Sequence, residues 1–379
     1  MTRTVCVVSV SRADRAMAAV VGRALDEAGV SALAMVVDDP LGPDTVIEDH
    51  GVRTRRLPAR MGGDGPADLG RRMGALTAAF AEVLADERPD IIVLTGDRYE
   101  TLAAAGAASL AGMVVAHLHG GELTLGAMDD AFRHAITKLS HLHFPATDAA
   151  AARLIRMGEE EWRITTAGAP GLDLLMSASP MPRAALFRAL DMADPGDFIL
   201  ATWHPETLTA DGGTAGLEAL LAALSETGSP VLFTGVNADP GGAGQAARIR
   251  KWAEGRTAVH LIPSLGPLYA PALAHTAVMA GNSSSGIIEA AAFALPVVNV
   301  GDRQKGRDRG ANVIDAPADP AAVRQALNRA LDPALRSSLT GMTNPYGDGQ
   351  AGPRIAARMA AEPIDDRLRQ KTFPEERPS

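Results

Sequence analysis

The chain has 379 residues, of which 46% are hydrophobic, and a formal net charge of −9. This length and hydrophobic content favour two domains, each with its own core. The acidic balance argues against nucleic acid or an acidic membrane surface as a partner, since both select basic surfaces. The apolar run near the N-terminus spans about six residues, too short for a signal peptide, and no run reaches the ~18 residues of a membrane span. We therefore expect a soluble, cytoplasmic protein.

The first half of the sequence alternates short apolar runs with amphipathic stretches. Strands are predicted at residues 5–10, 32–37, 90–94, 113–116, 143–146 and 164–167. Helices are predicted between them, including 69–88, a helix from about 128, and 149–158. Such alternation gives a parallel sheet with right-handed crossovers. We predict a Rossmann-like first domain over residues 1–175.

The turn after the first strand lacks the GxGxxG pattern of dinucleotide-binding proteins. It carries Arg12 at the expected start of a helix. Helix N-termini attract anions and arginine binds them in a bidentate manner, so Arg12 is a candidate phosphate ligand. A solvated surface arginine explains the same residue equally well.

Polar residues follow two neighbouring predicted strands at the point where each ends. Asp97 comes after strand 90–94, and strand 113–116 leads to His117, His119 and Glu122. The carboxyl edge of a parallel sheet is where doubly wound folds bind their ligands. An Asp after a strand is also a common helix cap, so the set indicates a site more strongly than any single member does.

The helix that begins near residue 128 adds further charged groups. Asp129 and Arg133 are four residues apart and therefore share one helix face. Asp130, His134 and Lys138 form a second row with the same spacing. Such pairs are often surface ion pairs worth ~0.3–0.5 kcal/mol, but here they adjoin the predicted ligand edge.

The second half repeats the alternation after a proline-bearing linker at 177–197. Strands are predicted at 198–203, 230–234, 259–262, 277–280 and 296–300, with one more strand after residue 312. We predict a second Rossmann-like domain over residues 195–350 and a final helix over 351–362. The remaining residues, 363–379, are charged and contain proline, which is typical of a flexible tail.

Three loops of the second half carry candidate ligand-binding residues. His204 follows a strand, which places it at the ligand edge, although a single histidine is often structural. Ser283, Ser284, Ser285 and Gly286 lie between a strand and a helix, where small residues and backbone N–H groups can hold phosphate. Serines also cap helices without any ligand.

Two further features concern charge. Glu289, one turn inside that helix, suits sugar hydroxyls better than phosphate. Arg303 and Arg307, in the basic loop 301–310, supply the local positive charge that an anionic ligand needs in a chain with a net charge of −9. A solvated charge run is the alternative explanation for this loop.

The common zinc motifs are absent from the sequence, and no metal site is predicted.

Taken together, these stretches resemble the hydrolysing UDP-N-acetylglucosamine 2-epimerases of bacterial sialic acid and legionaminic acid biosynthesis. The segments that carry the resemblance are GDRYE (96–100), AHLHGGELTLGAMDDAFRHAITKLSHLHF (116–144), AGAPGLD (167–173), WHPET (203–207), GNSSSGIIEAA (281–291), PVVNVGDRQKGR (296–307) and NPYGDG (344–349). They are spread over nearly the whole chain.

The resemblance implies a glycosyltransferase-B-like fold of two Rossmann-like domains, with the nucleotide sugar in the interdomain cleft and the final helix crossing back to the first domain. It implies elimination of the nucleoside diphosphate, hydration of a glycal, no cofactor and a homodimer. Asp97, Glu122 and Asp129 would be acid or base groups. Arg133 and His204 would position or polarise the substrate. The residues implied for binding are Arg12, His119, Ser283, Ser284, Ser285, Gly286, Glu289, Arg303 and Arg307.

Alternatives remain open at this level. Family members show a TGTRAEYG-like first loop, where this chain has SVSRADRA at residues 9–16. A UDP- or GDP-linked 2,4-diacetamido-6-deoxy sugar is therefore an alternative substrate. A glycosyltransferase on the same fold and a non-catalytic nucleotide-sugar binder are alternative functions.

Overall fold

A computed structural model describes residues 3–37, 53–58, 65–125, 128–206, 209–236 and 241–372, and excludes the side chains of residues 12 and 13. The chain divides into two compact units. The first comprises Met1–Leu123, Asp129–Leu174 and Tyr346–Ser379, and the second comprises Thr124–Met128 and Leu175–Pro345.

The first unit is built on a parallel sheet of six strands. In chain order these are β1 (Thr4–Ser9), β2 (Ser31–Val37), β3 (Arg53–Leu57), β4 (Ile91–Thr95), β5 (Val114–Leu118) and β6 (Leu142–Phe144). Their order across the sheet is β3-β2-β1-β4-β5-β6. The connecting helices are α1 (Arg12–Glu27), α2 (Pro66–Glu87), α3 (Tyr99–Leu110), α4 (Asp129–Leu139), α5 (Asp148–Arg156) and α6 (Pro170–Ser177).

Helices cover both faces of this sheet, which explains the apolar character of its central strands. Every residue of β4 and of β5 is buried. On one face they pack with Phe80 and Leu84 of α2, and on the other with Val21 and Leu25 of α1. Parallel strands buried on both faces read as continuous apolar runs, the pattern from which these strands were predicted.

The second unit repeats the same architecture. Its strands are β7 (Ile199–Thr202), β8 (Val231–Thr234), β9 (Val259–Ile262), β10 (Val278–Gly281), β11 (Val297–Val300) and β12 (Val313–Ala316). Its strand order is β12-β11-β10-β7-β8-β9, which corresponds to the order of the first sheet when it is read from the β9 edge. Its helices are α7 (Arg183–Ala189), α8 (Thr214–Thr227), α9 (Gly242–Ala253), α10 (Tyr269–His275), α11 (Ser284–Ile288), α12 (Pro320–Ala330) and α13 (Pro333–Ser338). The predicted α/β class with two Rossmann-like halves is confirmed.

The C-terminal residues belong to the first unit. Helix α14 (Ala351–Ala361) packs against α1 through Ile355 and Met359. Asp173 accepts hydrogen bonds from the first two N–H groups of α14, at 3.0 Å and 2.7 Å. A short helix α15 (Asp366–Arg369) follows.

Two expectations about the fold were wrong, and one strand was not predicted. Residues 164–167 form no strand, since only Ile164 makes an isolated bridge, to His143. Strand β3 was missed, because its polar sequence RTRRL and exposed side chains give no apolar run. Residues 363–372 are not a flexible tail, because Leu368 is fully buried and Arg163 binds the main chain around it. Residues 373–379 lie outside the described part of the chain.

Candidate active site

Arg133 joins several polar groups at the carboxyl edge of the first sheet. Gly96, with φ of +78°, turns the chain at the end of β4 and presents Asp97. The buried Arg133 guanidinium, on α4, is hydrogen-bonded to the Asp97 carboxylate. Its Nη1 also donates to the Glu122 carbonyl at 2.9 Å and to Asp130 Oδ1 at 3.3 Å. The predicted proximity of Asp97, Glu122 and Arg133 is therefore found within this unit.

A carboxylate and an imidazole form a second contact in the same region. His119 Nδ1 donates to Glu122 Oε1 at 2.6 Å, and Glu122 is 4% exposed. The turn between them is tightly packed, because a Cβ on Gly121 would lie 2.4 Å from the Ala150 carbonyl oxygen. Asp129 is half-buried and begins α4, one turn before Arg133. We call Asp97, His119, Glu122, Asp129 and Arg133 the acid cluster.

His117 contacts the backbone next to this cluster, at the Gly96 carbonyl before Asp97. It was expected at the ligand edge with His119, but it lies inside β5 and is fully buried. Its Nε2 donates to the Gly96 carbonyl at 2.8 Å, and its Nδ1 accepts from the Thr137 hydroxyl at 3.2 Å. Burial lowers the pKa of His117 to about 3. A neutral imidazole therefore fixes the turn that carries Asp97.

Asp14 is a candidate group that the sequence analysis did not select. It is 8% exposed in the first turn of α1, and its Oδ2 accepts from the Val10 N–H at 3.3 Å. Burial raises the pKa of Asp14 to about 6, against hydrogen bonds from Ser11 and Val10. Carboxyl groups with raised pKa values are typical of acid-base sites. The Arg12 side chain, predicted nearby, lies outside the described part of the structure.

In the second unit, the serine loop follows β10 and leads into α11. Ser283 caps the helix, and its hydroxyl accepts from the Ser285 N–H at 3.4 Å. The Ser285 hydroxyl is hydrogen-bonded to the Tyr269 hydroxyl. Glu289 accepts hydrogen bonds from both of these groups, and burial raises its pKa. Tyr269 was missed, because it lies at the start of α10 and belongs to none of the motifs that were recognised.

His204 and the serine loop are tied together by an amide. Asn282 Oδ1 accepts from the His204 N–H at 2.8 Å, and Asn282 Nδ2 donates to the His204 carbonyl at 2.8 Å. Burial, and then the nearby Arg303 charge, lower the pKa of His204 to about 3. The imidazole is consequently neutral at pH 7 and can act as a hydrogen-bonding group.

The basic loop is fixed rather than freely solvated. Arg303 donates to the Asn282 carbonyl at 3.2 Å and to the Pro205 carbonyl at 3.3 Å. Arg307 Nη2 lies 3.4 Å from the Thr124 hydroxyl of the same unit. We call the following residues of the second unit, which lie in α11, at its two caps or in loops of the same unit, the serine-loop cluster: His204, Ser283, Ser284, Ser285, Gly286, Glu289, Arg303 and Arg307.

Within the described ranges, no three His, Cys, Asp or Glu side chains are grouped as metal ligands would be. Nor does the described part of the chain contain a helix with the length and apolarity that crossing a membrane requires.

Comparison with known proteins places this architecture and these residues in context. The family model described as UDP-N-acetylglucosamine 2-epimerase matches residues 43–360. The hydrolysing UDP-N,N'-diacetylbacillosamine 2-epimerase of Legionella pneumophila is 38% identical over 307 residues, covering 80% of each chain. The hydrolysing GDP/UDP-N,N'-diacetylbacillosamine 2-epimerase of Campylobacter jejuni is 35% identical over 266 residues, covering 69% of each chain.

A solved structure shows the same fold at low sequence identity. The UDP-GlcNAc 2-epimerase of Neisseria meningitidis, whose structure contains UDP-GlcNAc, superposes with a TM-score of 0.82. The match covers 95% of this chain and all of the other at 18% identity. The resemblance seen in the sequence is therefore confirmed by independent comparisons of sequence and of fold.

Proposed function

Since a family model covers most of its length, this chain belongs to the UDP-N-acetylglucosamine 2-epimerase family, and we propose that it is a hydrolysing 2-epimerase of a nucleotide-linked 2-acetamido sugar. In the first step a base removes the C2 proton while the C1–O bond breaks, and the electron pair leaves with the nucleoside diphosphate. In the second step water adds to C1 of the resulting glycal and a proton returns to the opposite face of C2. The products are the free 2-epimer and the nucleoside diphosphate.

The observation that carries the proposal is the hydrogen-bonding of Arg133 within the acid cluster. The C2 proton is only weakly acidic, so a carboxylate must be held close to it, within ~3 Å. Arg133 binds the Asp97 carboxylate and the Glu122 main chain, and His119 binds the Glu122 carboxylate, so the positions of two such groups are restricted. In this proposal Asp97, Glu122 and Asp129 exchange protons with C2 and with the glycal, and His119 orients Glu122.

The serine-loop cluster is proposed to hold the nucleotide. Departure of the diphosphate builds negative charge that fixed donors and cations must stabilise. Ser284 and Ser285, together with Arg303 and Arg307, are the proposed donors and cations. The neutral His204 would donate a hydrogen bond to the diphosphate, and the Glu289 carboxyl would accept from the ribose hydroxyls.

Two sugars are candidates. UDP-N-acetylglucosamine is the substrate that the family description names. The Legionella and Campylobacter relatives bear the name of N,N'-diacetylbacillosamine instead, at 38% and 35% identity. Those identities favour the diacetamido sugar as the second candidate, with UDP or GDP as the carrier.

The test is proton NMR of the protein with each nucleotide sugar in deuterated water. We expect release of a free sugar that carries deuterium at C2, together with the nucleoside diphosphate. Glu122→Gln should abolish release, whereas Asp86→Asn, a change at an exposed position of α2, should leave it unchanged. Free sugar with hydrogen retained at C2 would contradict the elimination step. Release of nucleotide only after an acceptor is added would indicate a glycosyltransferase. Binding of the nucleotide sugar without turnover would indicate a non-catalytic binding protein.

We propose further that the enzyme is a homodimer. Leu110, at the C-terminal end of the alanine-rich α3, is 84% exposed. A single exposed leucine does not by itself mark an interface, so the proposal rests on the resemblance to the epimerase family, and Leu110 is the position at which it is tested. Light scattering after gel filtration should give twice the mass of one chain. Leu110→Glu should then give the mass of a monomer.

A further inference from the structure

The residues after α14 form an ordered segment on the first unit. We call residues 363–372 the C-terminal strap. Leu368 is fully buried, and the Arg163 guanidinium donates to the carbonyls of Leu368 at 2.8 Å, Arg367 at 2.9 Å and Gln370 at 3.0 Å. The Trp162 ring has a guanidinium on it from Arg163 at 4.2 Å and another from Arg367 at 4.1 Å. These contacts hold the strap on the first unit through its main chain and through the stacking of Arg367 on the Trp162 ring.

Lys371 makes a different kind of contact, with the end of a helix. Its ammonium donates to the carbonyls of Thr137 at 3.3 Å and Lys138 at 3.1 Å. Both carbonyls lie in the last turn of α4, and the Thr137 carbonyl also accepts from the Ser140 N–H at 3.1 Å. The ammonium also pairs with the buried Glu159 carboxylate at 2.7 Å. A cation at a helix C-terminus is favourable because it faces the negative end of the helix dipole.

The helix that Lys371 caps is the helix that holds the acid cluster. Arg133 lies one turn before Thr137 on α4 and binds the Asp97 carboxylate. The Thr137 hydroxyl binds His117, whose other ring nitrogen binds the Gly96 carbonyl directly before Asp97. Two routes therefore lead from the last turn of α4 to Asp97. One runs along the helix through Arg133, and the other runs through the buried His117.

We propose that Lys371 is a positioning residue for the 2-epimerase reaction. By capping α4 it fixes the helix along its axis, and thereby fixes Arg133 against Asp97. The strap lies beyond residues 43–360, which match the family model, whereas the partners of Lys371 in α4 lie within them. The proposal rests on the proposed function, because positioning has a kinetic consequence only if Asp97 takes part in the reaction.

The kinetic test compares variants of two basic strap residues. Lys371→Met should lower kcat about 10-fold or more while KM changes less than about 2-fold, since small displacements of reacting groups can cost ~100-fold in rate. Lys371→Arg keeps the charge and should recover most of kcat. The matched control is Arg369→Met, because Arg369 is exposed and donates to the Gly112 carbonyl at 3.1 Å, away from α4. Equal losses in the Lys371 and Arg369 variants would overturn the proposal.

A second measurement needs no substrate. Hydrogen exchange of a peptide covering residues 129–139 should be at least about 10-fold faster in Lys371→Met than in the parent protein, because an uncapped terminal turn frays. A peptide covering α3 should exchange at an unchanged rate. Unchanged exchange in 129–139 would refute the capping role even if the enzyme is active. If no nucleotide sugar is turned over, the proposed function fails, and faster exchange would still establish the cap.

Discussion

Replacing Glu159 by glutamine is expected to destabilise the first unit, because the change removes a buried negative charge with three partners. The Glu159 side chain is fully buried. It accepts from Lys138 Nζ at 2.7 Å, Lys371 Nζ at 2.7 Å and His143 Nε2 at 2.9 Å. Glutamine has nearly the same shape, so the loss reports on the charge.

The magnitude follows from the ionisation of this carboxyl group. Burial opposes its ionisation, but hydrogen bonds from His143, Lys138 and Lys371 outweigh burial and lower the pKa of Glu159 from 4.5 to about 2. Burial lowers the pKa of His143. At pH 7 the positive charge that faces the Glu159 carboxylate therefore comes from the two ammonium groups, those of Lys138 and Lys371. This difference in pKa corresponds to about 3 kcal/mol of stability at pH 7, the size expected when one member of a buried pair is removed.

The pH dependence has a definite sign. A carboxyl group with a lowered pKa stabilises the folded state fully above its unfolded value and loses that stabilisation as the pH falls toward the folded value. The contribution of Glu159 should therefore decrease from about 3 kcal/mol at pH 7 to about 1 kcal/mol at pH 3.

Urea unfolding followed by circular dichroism at pH 7 and pH 3 measures both values for the parent protein and for Glu159→Gln. The control is Asp68→Asn, which breaks an exposed pair with Arg71 and should cost less than about 0.5 kcal/mol. A loss below about 1 kcal/mol at pH 7, or one that is equal at the two pH values, would refute the reasoning.

Three further predictions concern the two candidate clusters and their supports. Asp97→Asn should lower kcat by a factor of ~100 or more with little change in KM, as expected for loss of an acid-base group. The rate of nucleoside diphosphate release measures kcat, and a variant with normal kcat would remove Asp97 from the mechanism. Gly281→Ala should destabilise the second unit by more than about 3 kcal/mol, because the residue has φ of +137° and the new Cβ would lie 1.8 Å from the Thr202 carbonyl oxygen. Thermal unfolding measures this loss of stability, and an unchanged melting temperature would show that the strands tolerate the side chain. Burial lowers the pKa of His204 to about 3. The folded state therefore holds the imidazole neutral, protonation below pH 6.5 favours the unfolded state, and stability should fall by about 2 kcal/mol between pH 7 and pH 5. His204→Gln should lose less stability over that interval in urea unfolding, and an identical pH dependence would contradict the burial of a neutral imidazole.

Much of the fold was predictable because its central strands have a simple chemical pattern. Strand β4, for example, is an apolar run with every residue buried. Asp97 follows it, and the four-residue spacing of Asp129 and Arg133 places both on one face of α4. These relations depend on residues close in sequence, whose geometry is set by the backbone of a strand or a helix.

The edges of the structure were harder to predict. Strand β3 has a polar sequence and, among the described residues, lies at an edge of the sheet, where it pairs with β2. The strap has one buried apolar residue, Leu368, among charged neighbours. Composition therefore gave no prediction of a strand in the first case and predicted a flexible tail in the second.

Sequence by itself determined the two alternating α/β halves and the strand ends where polar residues collect. Only the tertiary structure decided which polar groups meet, including Tyr269 with Ser285, Asn282 with His204, and Lys371 with the last turn of α4. The physical reason is range. Periodicity and strand ends are set by neighbouring residues, whereas a hydrogen bond between distant segments exists only after packed helices and sheets bring its donor and acceptor within about 3 Å.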